Sequence, residues 1–227
     1  MSILISLFIS IVWASSFQLE GVAKSSSGEF LYRELHRVDL NSENKVKKIQ
    51  ATYFNSEGEI FAQLESRFDQ HPTIPTSTFI DHRFDLKEKV VWSDDKQKFE
   101  LTHIEDGKKN TREFRPKDEM IVGQGFDNFI RINFEKLQQQ SIPLSIGVIS
   151  QQRFHNFSGE LKEKNETTIS FRLRINNIFA RLFVDQIIVE YDLETQDLLS
   201  YRGLSNLNDN NGQSQNVFIQ YQVKRDE

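Results

Sequence analysis

Apolar and polar residues alternate with a period of two over most of this chain, in short runs separated by Gly, Asn, Asp and Ser. In Lys48–Phe54, for example, Ile49, Ala51 and Tyr53 point to one side, and Ser56-Glu57-Gly58 then turns the chain into the next run. This pattern is typical of antiparallel strands with one covered face. It predicts a mainly β protein.

Two segments depart from this period and indicate helices. In Phe126–Gln140, apolar side chains fall on one arc and charged or amide side chains lie opposite, which predicts the principal amphipathic helix. Asn177–Val184 predicts a second, shorter helix capped by Asn177. Many strands with one or two amphipathic helices favour a strongly curved antiparallel sheet, a half-barrel, wrapped around the principal helix.

The first sixteen residues are uncharged and mostly apolar, and Ala14 and Ser16 place small side chains before a cut at Phe17. This composition predicts a signal peptide over residues 1–16. The apolar run is shorter than the roughly 20 residues that span a bilayer, so cleavage is favoured over a permanent anchor. We therefore expect an exported, soluble mature chain, 17–227, that folds as one domain. The periplasm is the expected location, with the extracellular space as the alternative.

The chain has no cysteine, which excludes disulfides, thiolate zinc sites and cysteine nucleophiles. A secreted animal domain of this length would often carry disulfides, so their absence favours a bacterial periplasm. The net charge of −5 provides no basic footprint for nucleic acid. The 19 Phe residues, against five Tyr and two Trp, indicate an apolar interior or cavity.

Two short motifs resemble chemical signatures without matching them. Gly123-Gln124-Gly125 follows an apolar strand and opens a helix, but Asn128 replaces the third glycine of a dinucleotide fingerprint. Gly203-Leu204-Ser205 is similar to the start of a nucleophile elbow, but Leu207 replaces its last glycine. We interpret the glycines as a strand-to-helix turn and Ser205 as structural.

Titratable residues give two weak candidates for acid-base chemistry. One is the Asp81/His82/Asp85 group on a predicted strand, Phe79–Trp92, and the other is Glu190/Asp192/Arg202 on two neighbouring strands. The alternative for the first group is a surface or core histidine with ordinary partners, and the alternative for the second is the solvent-exposed face of an antiparallel sheet. The five histidines show no metal-ligand spacing, and Asn208–Gly212 lacks the pattern of a calcium loop, so neither a metal nor a cofactor is indicated.

Three segments, Gly125–Arg131, Val189–Asp192 and Tyr201–Asn206, together resemble recurrent segments of a family of exported Gram-negative bacterial proteins of unknown function. The predicted architecture is also loosely similar to the curved-sheet carriers of outer-membrane lipoproteins, which hold acyl chains between a sheet and helices. That second resemblance implies a fold, and transfers no ligand-contacting residue.

Three hypotheses about function follow. The leading hypothesis is a non-enzymatic, carrier-like protein for an apolar ligand such as a lipid; the alternatives are a hydrolase or other enzyme using the acidic groups above, and an envelope scaffold that contacts a protein through a sheet edge. Asn133 lies near the centre of the apolar arc and must find a polar partner, either sheet backbone or a group in a ligand cavity. The residues predicted to line the ligand site are Phe126, Phe129, Ile130, Asn133, Phe134, Leu137, Ile178, Phe179 and Phe183.

Overall fold

Strands dominate the computed structural model, which describes residues 16–176 and 186–225. Residues 1–15 of the predicted signal segment and the predicted helix Asn177–Val184 lie outside the described residues. The helices are α1 (Gly125–Ile132) and α2 (Phe134–Gln139). The strands are β1 (Ser16–Lys24), β2 (Phe30–Leu40), β3 (Val46–Phe54), β4 (Ile60–Arg67), β5 (Thr76–Asp81), β6 (Leu86–Trp92), β7 (Phe99–Glu105), β8 (Lys108–Phe114), β9 (Met120–Val122), β10 (Ile142–Val148), β11 (Arg153–Lys164), β12 (Thr168–Ile175), β13 (Ile187–Asp192), β14 (Leu198–Asn208) and β15 (Ser214–Arg225).

All fifteen strands belong to one sheet, in the order β8-β7-β6-β5-β4-β3-β2-β1-β15-β14-β13-β12-β11-β10-β9. Neighbours in the sheet are neighbours in the chain except where β1 pairs with β15, and every pair is antiparallel except β9 with β10. The sheet is open, with β8 and β9 as its two edges. The predicted fold class, a mainly β chain with a curved antiparallel sheet around a helical segment, is confirmed.

One face of the sheet carries most of the core. Tyr32, Tyr53 and Ile219 on this face pack in one cluster. Phe171 and Val189 on the same face pack with both helices in another. Tyr201 contacts both clusters, so the two are continuous. We call this the inner face.

A third cluster brings the two ends of the sheet together through side chains. Phe99 of β7 lies on the inner face, whereas Val122 and Phe154, of β9 and β11, lie on the face opposite the helices. The Phe154 ring makes edge contacts with Phe99 and Phe114, at centroid distances of 6.1 and 5.1 Å. The sheet therefore rolls round until one end packs against the other, with no backbone ladder between β8 and β9 among the described residues.

The loop between β4 and β5 covers the free edge of β9. The Val122 amide donates to the Thr73 carbonyl at 3.0 Å, and the Thr73 hydroxyl donates to the Met120 carbonyl at 2.6 Å. The loop is itself fixed by Trp92, whose indole N–H donates to the Ile74 carbonyl at 3.0 Å. These bonds satisfy backbone groups that an edge strand would otherwise leave unpaired.

The segment predicted as one helix, Phe126–Gln140, is two consecutive helices that meet at Asn133. This residue has φ −104° and ψ 14°, away from regular helical values. Its side-chain amide donates to the Phe129 carbonyl at 2.9 Å, the local side-chain-to-backbone bond that bends helices. The prediction of a single helix was wrong at this residue and correct in its position and buried face.

The strand predicted over Phe79–Trp92 is two strands, β5 and β6, joined by a tight turn. Asp85 adopts φ 47° in this turn, a left-handed conformation that Asp tolerates better than most residues. The turn contains neither Gly nor Pro, so the sequence carries no strong signal for it.

Candidate functional site

The predicted ligand-contacting residues of α1 and α2 lie in a packed core. Phe129 and Phe134 are each 3% exposed, and Ile130 and Leu137 are fully buried. The Phe134 ring contacts Phe171 and Tyr191 edge-on, at 5.3 and 5.9 Å between centroids. Phe126 packs at the margin of the same cluster, whereas Ile178, Phe179 and Phe183 lie outside the described residues. The assignment of these residues to a ligand site stays a prediction.

Asn133 has the polar partner that its position requires, but neither of the two expected ones. Its amide bonds to the Phe129 carbonyl one helical turn back, rather than to the sheet. The side chain is half-buried at the junction of the helices. Its role in the structure is therefore to shape the helical segment.

Two open depressions lie on the outer face of the sheet, opposite the inner face. One, of about 420 Å³, is lined by side chains of β6, β7 and β8 that include Lys89, Thr102 and Lys109. The other, of about 540 Å³, is lined by side chains of β3, β4 and β5 that include Gln63 and Thr78. Neither depression touches α1 or α2.

A buried carboxylate, Glu34, lies on the inner face of β2 and is 3% exposed. The Tyr221 hydroxyl donates to its Oε1 at 2.7 Å, and Nε2 of His36 lies 3.1 Å from the same oxygen without hydrogen-bond alignment. Gln124, just before α1, reaches Nδ1 of His36 at 3.3 Å. Burial, and then the Glu34 charge, raises the pKa of Tyr221 well above its ordinary value, so this phenol stays protonated and donates.

Two further tyrosines meet the bulged part of β14 inside the roll. The Tyr32 hydroxyl lies 3.0 Å from the Ser205 hydroxyl, and the Asn206 amide donates to the Tyr53 hydroxyl at 3.4 Å. Burial is the largest cause of the raised pKa of both phenols. Ser205 has no adjacent histidine in these contacts, so its position agrees with the structural interpretation.

The Asp81/His82/Asp85 group does not converge. Asp81 is buried and forms a two-point ion pair with Arg83, with distances of 2.6 and 3.0 Å between nitrogen and oxygen atoms. His82 and Asp85 lie exposed in the turn between β5 and β6. The pairing of Asp81 with Arg83 accounts for its burial, because a buried charge requires a hydrogen-bonded partner.

Glu190 and Arg202 lie on the outer face of neighbouring strands, but each has a separate structural partner. The Ser200 hydroxyl donates to Glu190 at 3.1 Å, and the Arg202 guanidinium lies 4.9 Å from the centre of the Phe218 ring. Asp192 accepts the backbone N–H of Thr195, which is the largest cause of its lowered pKa. These contacts describe a turn and a sheet surface.

His103, on β7, is likewise held by its neighbours. Nδ1 of His103 lies 3.0 Å from Glu88 on the inner face, and this hydrogen bond is the largest cause of a raised pKa for His103. Glu105 approaches the other ring nitrogen at 3.5 Å. Within residues 16–176 and 186–225, no group of three or more His, Asp or Glu side chains is arranged to hold a metal ion.

None of the site residues predicted from the sequence lies on β8, an edge strand of the sheet. All its residues are exposed except Phe114. Its hairpin with β7 turns on two residues, Asp106 and Gly107, both with positive φ. Glu105 and Lys108 close this hairpin and exchange backbone hydrogen bonds. Along an antiparallel strand such bonded residues alternate with residues whose N–H and C=O point away from the partner strand, so every second residue of β8 after Lys108 points these groups away from β7. These outward residues are Lys109, Thr111 and Glu113.

Nothing in the described part of the chain covers those backbone groups, in contrast to the β9 edge with its Thr73 bonds. The sequence contained a signal for this edge, the Asp-Gly hairpin followed by a strand with no buried position, but it cannot show which strand lies at the end of a sheet. The candidate functional site is therefore the β8 edge with the adjoining depression on the outer face.

In the part of the chain that the structure describes, neither helix has the length and hydropathy of a membrane-spanning segment. No protein-family model matches the sequence, and no curated protein matches it. Among the solved structures that match, two align with this chain over most of their length. A β-barrel-like protein of domain of unknown function DUF1849 from Brucella abortus shares 9% identity over 94% of this chain and 97% of that one, with a TM-score of 0.37. A porin-like protein from Bacteroides uniformis shares 8% identity over 93% and 96%, with a TM-score of 0.29. The proposed membership of a Gram-negative family stays a prediction.

Proposed function

We propose that this chain is a non-enzymatic interaction protein of the bacterial envelope, exported by its first sixteen residues, which works through the β8 edge and the outer face of the sheet. The observation that carries the proposal is the uncovered β8 edge, whose outward backbone groups have no partner within the described residues. The burial of Phe129, Ile130, Phe134 and Leu137 in a packed core supports an interaction protein over a ligand carrier. The candidate acids and bases support it as well, because each has a structural partner or lies in an exposed turn.

The carrier hypothesis remains the competing proposal, and truncation of the helix face separates the two. In a filled core, Phe129→Ala and Phe134→Ala each leave a cavity and cost about 3 to 5 kcal/mol of unfolding free energy. If α1 and α2 instead cover an apolar ligand, space beside them is tolerated, and the same changes cost less while weakening retention of the ligand.

The measurement combines thermal unfolding with native mass spectrometry of protein purified from the periplasm of a Gram-negative host. We expect large losses in midpoint for both variants and no bound lipid in the parent protein. Ile132→Ala is the matched control, because Ile132 is on the same helical segment but 63% exposed. A lipid that copurifies with the parent and is lost from the Phe variants would replace the proposal by the carrier. The same spectra show whether the exported chain begins at Phe17.

A further inference from the structure

We infer that the β8 edge binds a second copy of this chain, as an antiparallel β8–β8 pair with a two-fold axis at Thr111. This inference rests on the proposed function, since it names the partner of the same edge. It starts from the outward backbone groups of Lys109, Thr111 and Glu113, which are unpaired within the described residues and together form a ready template for another strand.

Two-fold symmetry and the alternation of outward and inward backbone groups restrict which residues of the two β8 strands can face each other. Outward residues must face outward residues, because only those pairs exchange N–H and C=O bonds across the new seam. With the axis at Thr111, that residue faces its own copy. Lys109 then faces Glu113 of the second copy, and Glu113 faces Lys109 of that copy. All three outward positions are thereby paired.

Charge selects this register over its neighbours. Opposite charges directly across an antiparallel pair stabilise it, whereas like charges destabilise it. In the proposed register, Lys109 meets a glutamate on both sides of the axis, and Arg112 meets the amide of Asn110. If the axis lies at Arg112 instead, Arg112 faces its own copy and Lys109 faces Arg115. If the axis lies at Asn110, Lys108 faces Arg112 of the second copy. Each shifted register therefore brings cations together.

The outward side chains are available for this pairing, whereas Arg112, on the other face of β8, already donates to the Gln152 carbonyl at 3.3 Å. Glu113 is paired with Lys98 at 3.1 Å, but both side chains are well exposed, so the pair contributes little and can be shared. Thr111 is exposed and lies on the outer face beside Thr102 of β7. Charged residues on an edge also protect it from random strand addition. Here the same charges admit one self-complementary register.

The test is sedimentation analysis of the purified protein across low to high micromolar concentrations, with charge-reversal variants. A seam of one short strand pair is small, so we expect a reversible dimer. Lys109→Glu and Glu113→Lys each place like charges across both outer pairs, and each alone weakens dimer formation about tenfold or more. The double variant with both changes restores opposite charges and returns the dimer.

An equimolar mixture of the two single variants provides the sharpest readout. In the mixed pair, the chain with Lys109→Glu carries acidic side chains at both outer positions, and the chain with Glu113→Lys carries basic side chains at both. A heterodimer therefore forms although neither variant dimerises well alone. Thr111→Pro removes an outward N–H without touching the ladder to β7, because proline is tolerated on the free side of an edge strand. It abolishes the dimer and leaves the thermal midpoint of the monomer unchanged.

Three results would overturn the inference: a parent protein that is monomeric at every concentration, a dimer that neither charge reversal weakens, or a double variant and mixture that fail to recover the dimer. These outcomes leave the proposed function standing, because a packed interaction protein can bind a different partner. Copurified lipid that depends on Phe129 and Phe134 would remove the proposed function whether or not the chain dimerises.

Discussion

Tyr221 illustrates at the scale of one residue how this protein buries a carboxylate. Its hydroxyl is the aligned donor to Glu34, and a hydrogen bond to a charged group is worth more than one between neutral groups. Tyr221→Phe therefore leaves a buried carboxylate without that donor and costs about 1.5 to 3 kcal/mol of unfolding free energy. Urea unfolding at pH 7 measures the loss.

The matched control for this prediction is Tyr32→Phe. Tyr32 is 2% exposed, and its hydroxyl pairs with the neutral Ser205 hydroxyl at 3.0 Å. That change costs about 1 kcal/mol. Equal losses in the two variants would show that the Glu34 charge does not strengthen the Tyr221 bond.

Among the secondary-structure elements, the helical segment has its start fixed by Gly125, the first residue of α1. A Cβ atom at this position would lie 2.0 Å from the carbonyl oxygen of Thr73, in the loop that covers β9. Backbone cannot rotate away as a side chain can, so Gly125→Ala must move α1 or the loop and costs about 3 kcal/mol. The thermal midpoint falls accordingly.

Gly123, two residues earlier, separates this contact from ordinary glycine strain. It has φ 51° and open space around its Cβ position, so Gly123→Ala meets only the left-handed backbone penalty of about 1 kcal/mol. A cost for Gly125→Ala no larger than that of Gly123→Ala would contradict the close approach to Thr73.

The elements were predictable from sequence where their signal is local. The period of two located most strands, and the apolar arc located the buried face of Phe126–Gln140. The helix break at Asn133 and the turn before β6 were not predictable in the same way. Both depend on the conformation of a single residue, Asn133 or Asp85, whose side chain tolerates several backbone states.

The rolled shape of the whole molecule had no sequence signal. The curved sheet followed from the strand pattern, but the contact of Phe99 with Phe154 joins strands far apart in the chain. The two residues carry no local feature that pairs them. For the same reason the β8 edge was not among the predicted site residues: the sequence directed attention to the helix face, and only the strand order identifies β8 as an uncovered edge.

Within one chain, side chains and one loop hold the two ends of the sheet together, so we expect this end-to-end contact to open before the centre of the sheet. Phe154→Ala removes the ring that contacts both Phe99 and Phe114, and hydrogen exchange at the amides of β8 and β9 then rises about tenfold or more. The amides of β1 and β15, in the middle of the sheet, change much less. The control is Phe30→Ala, at a β2 ring that is 41% exposed, and this change leaves the amides of β8 and β9 protected from exchange. A uniform rise in exchange over all strands would mean that the end-to-end contact and the rest of the sheet unfold as one cooperative unit.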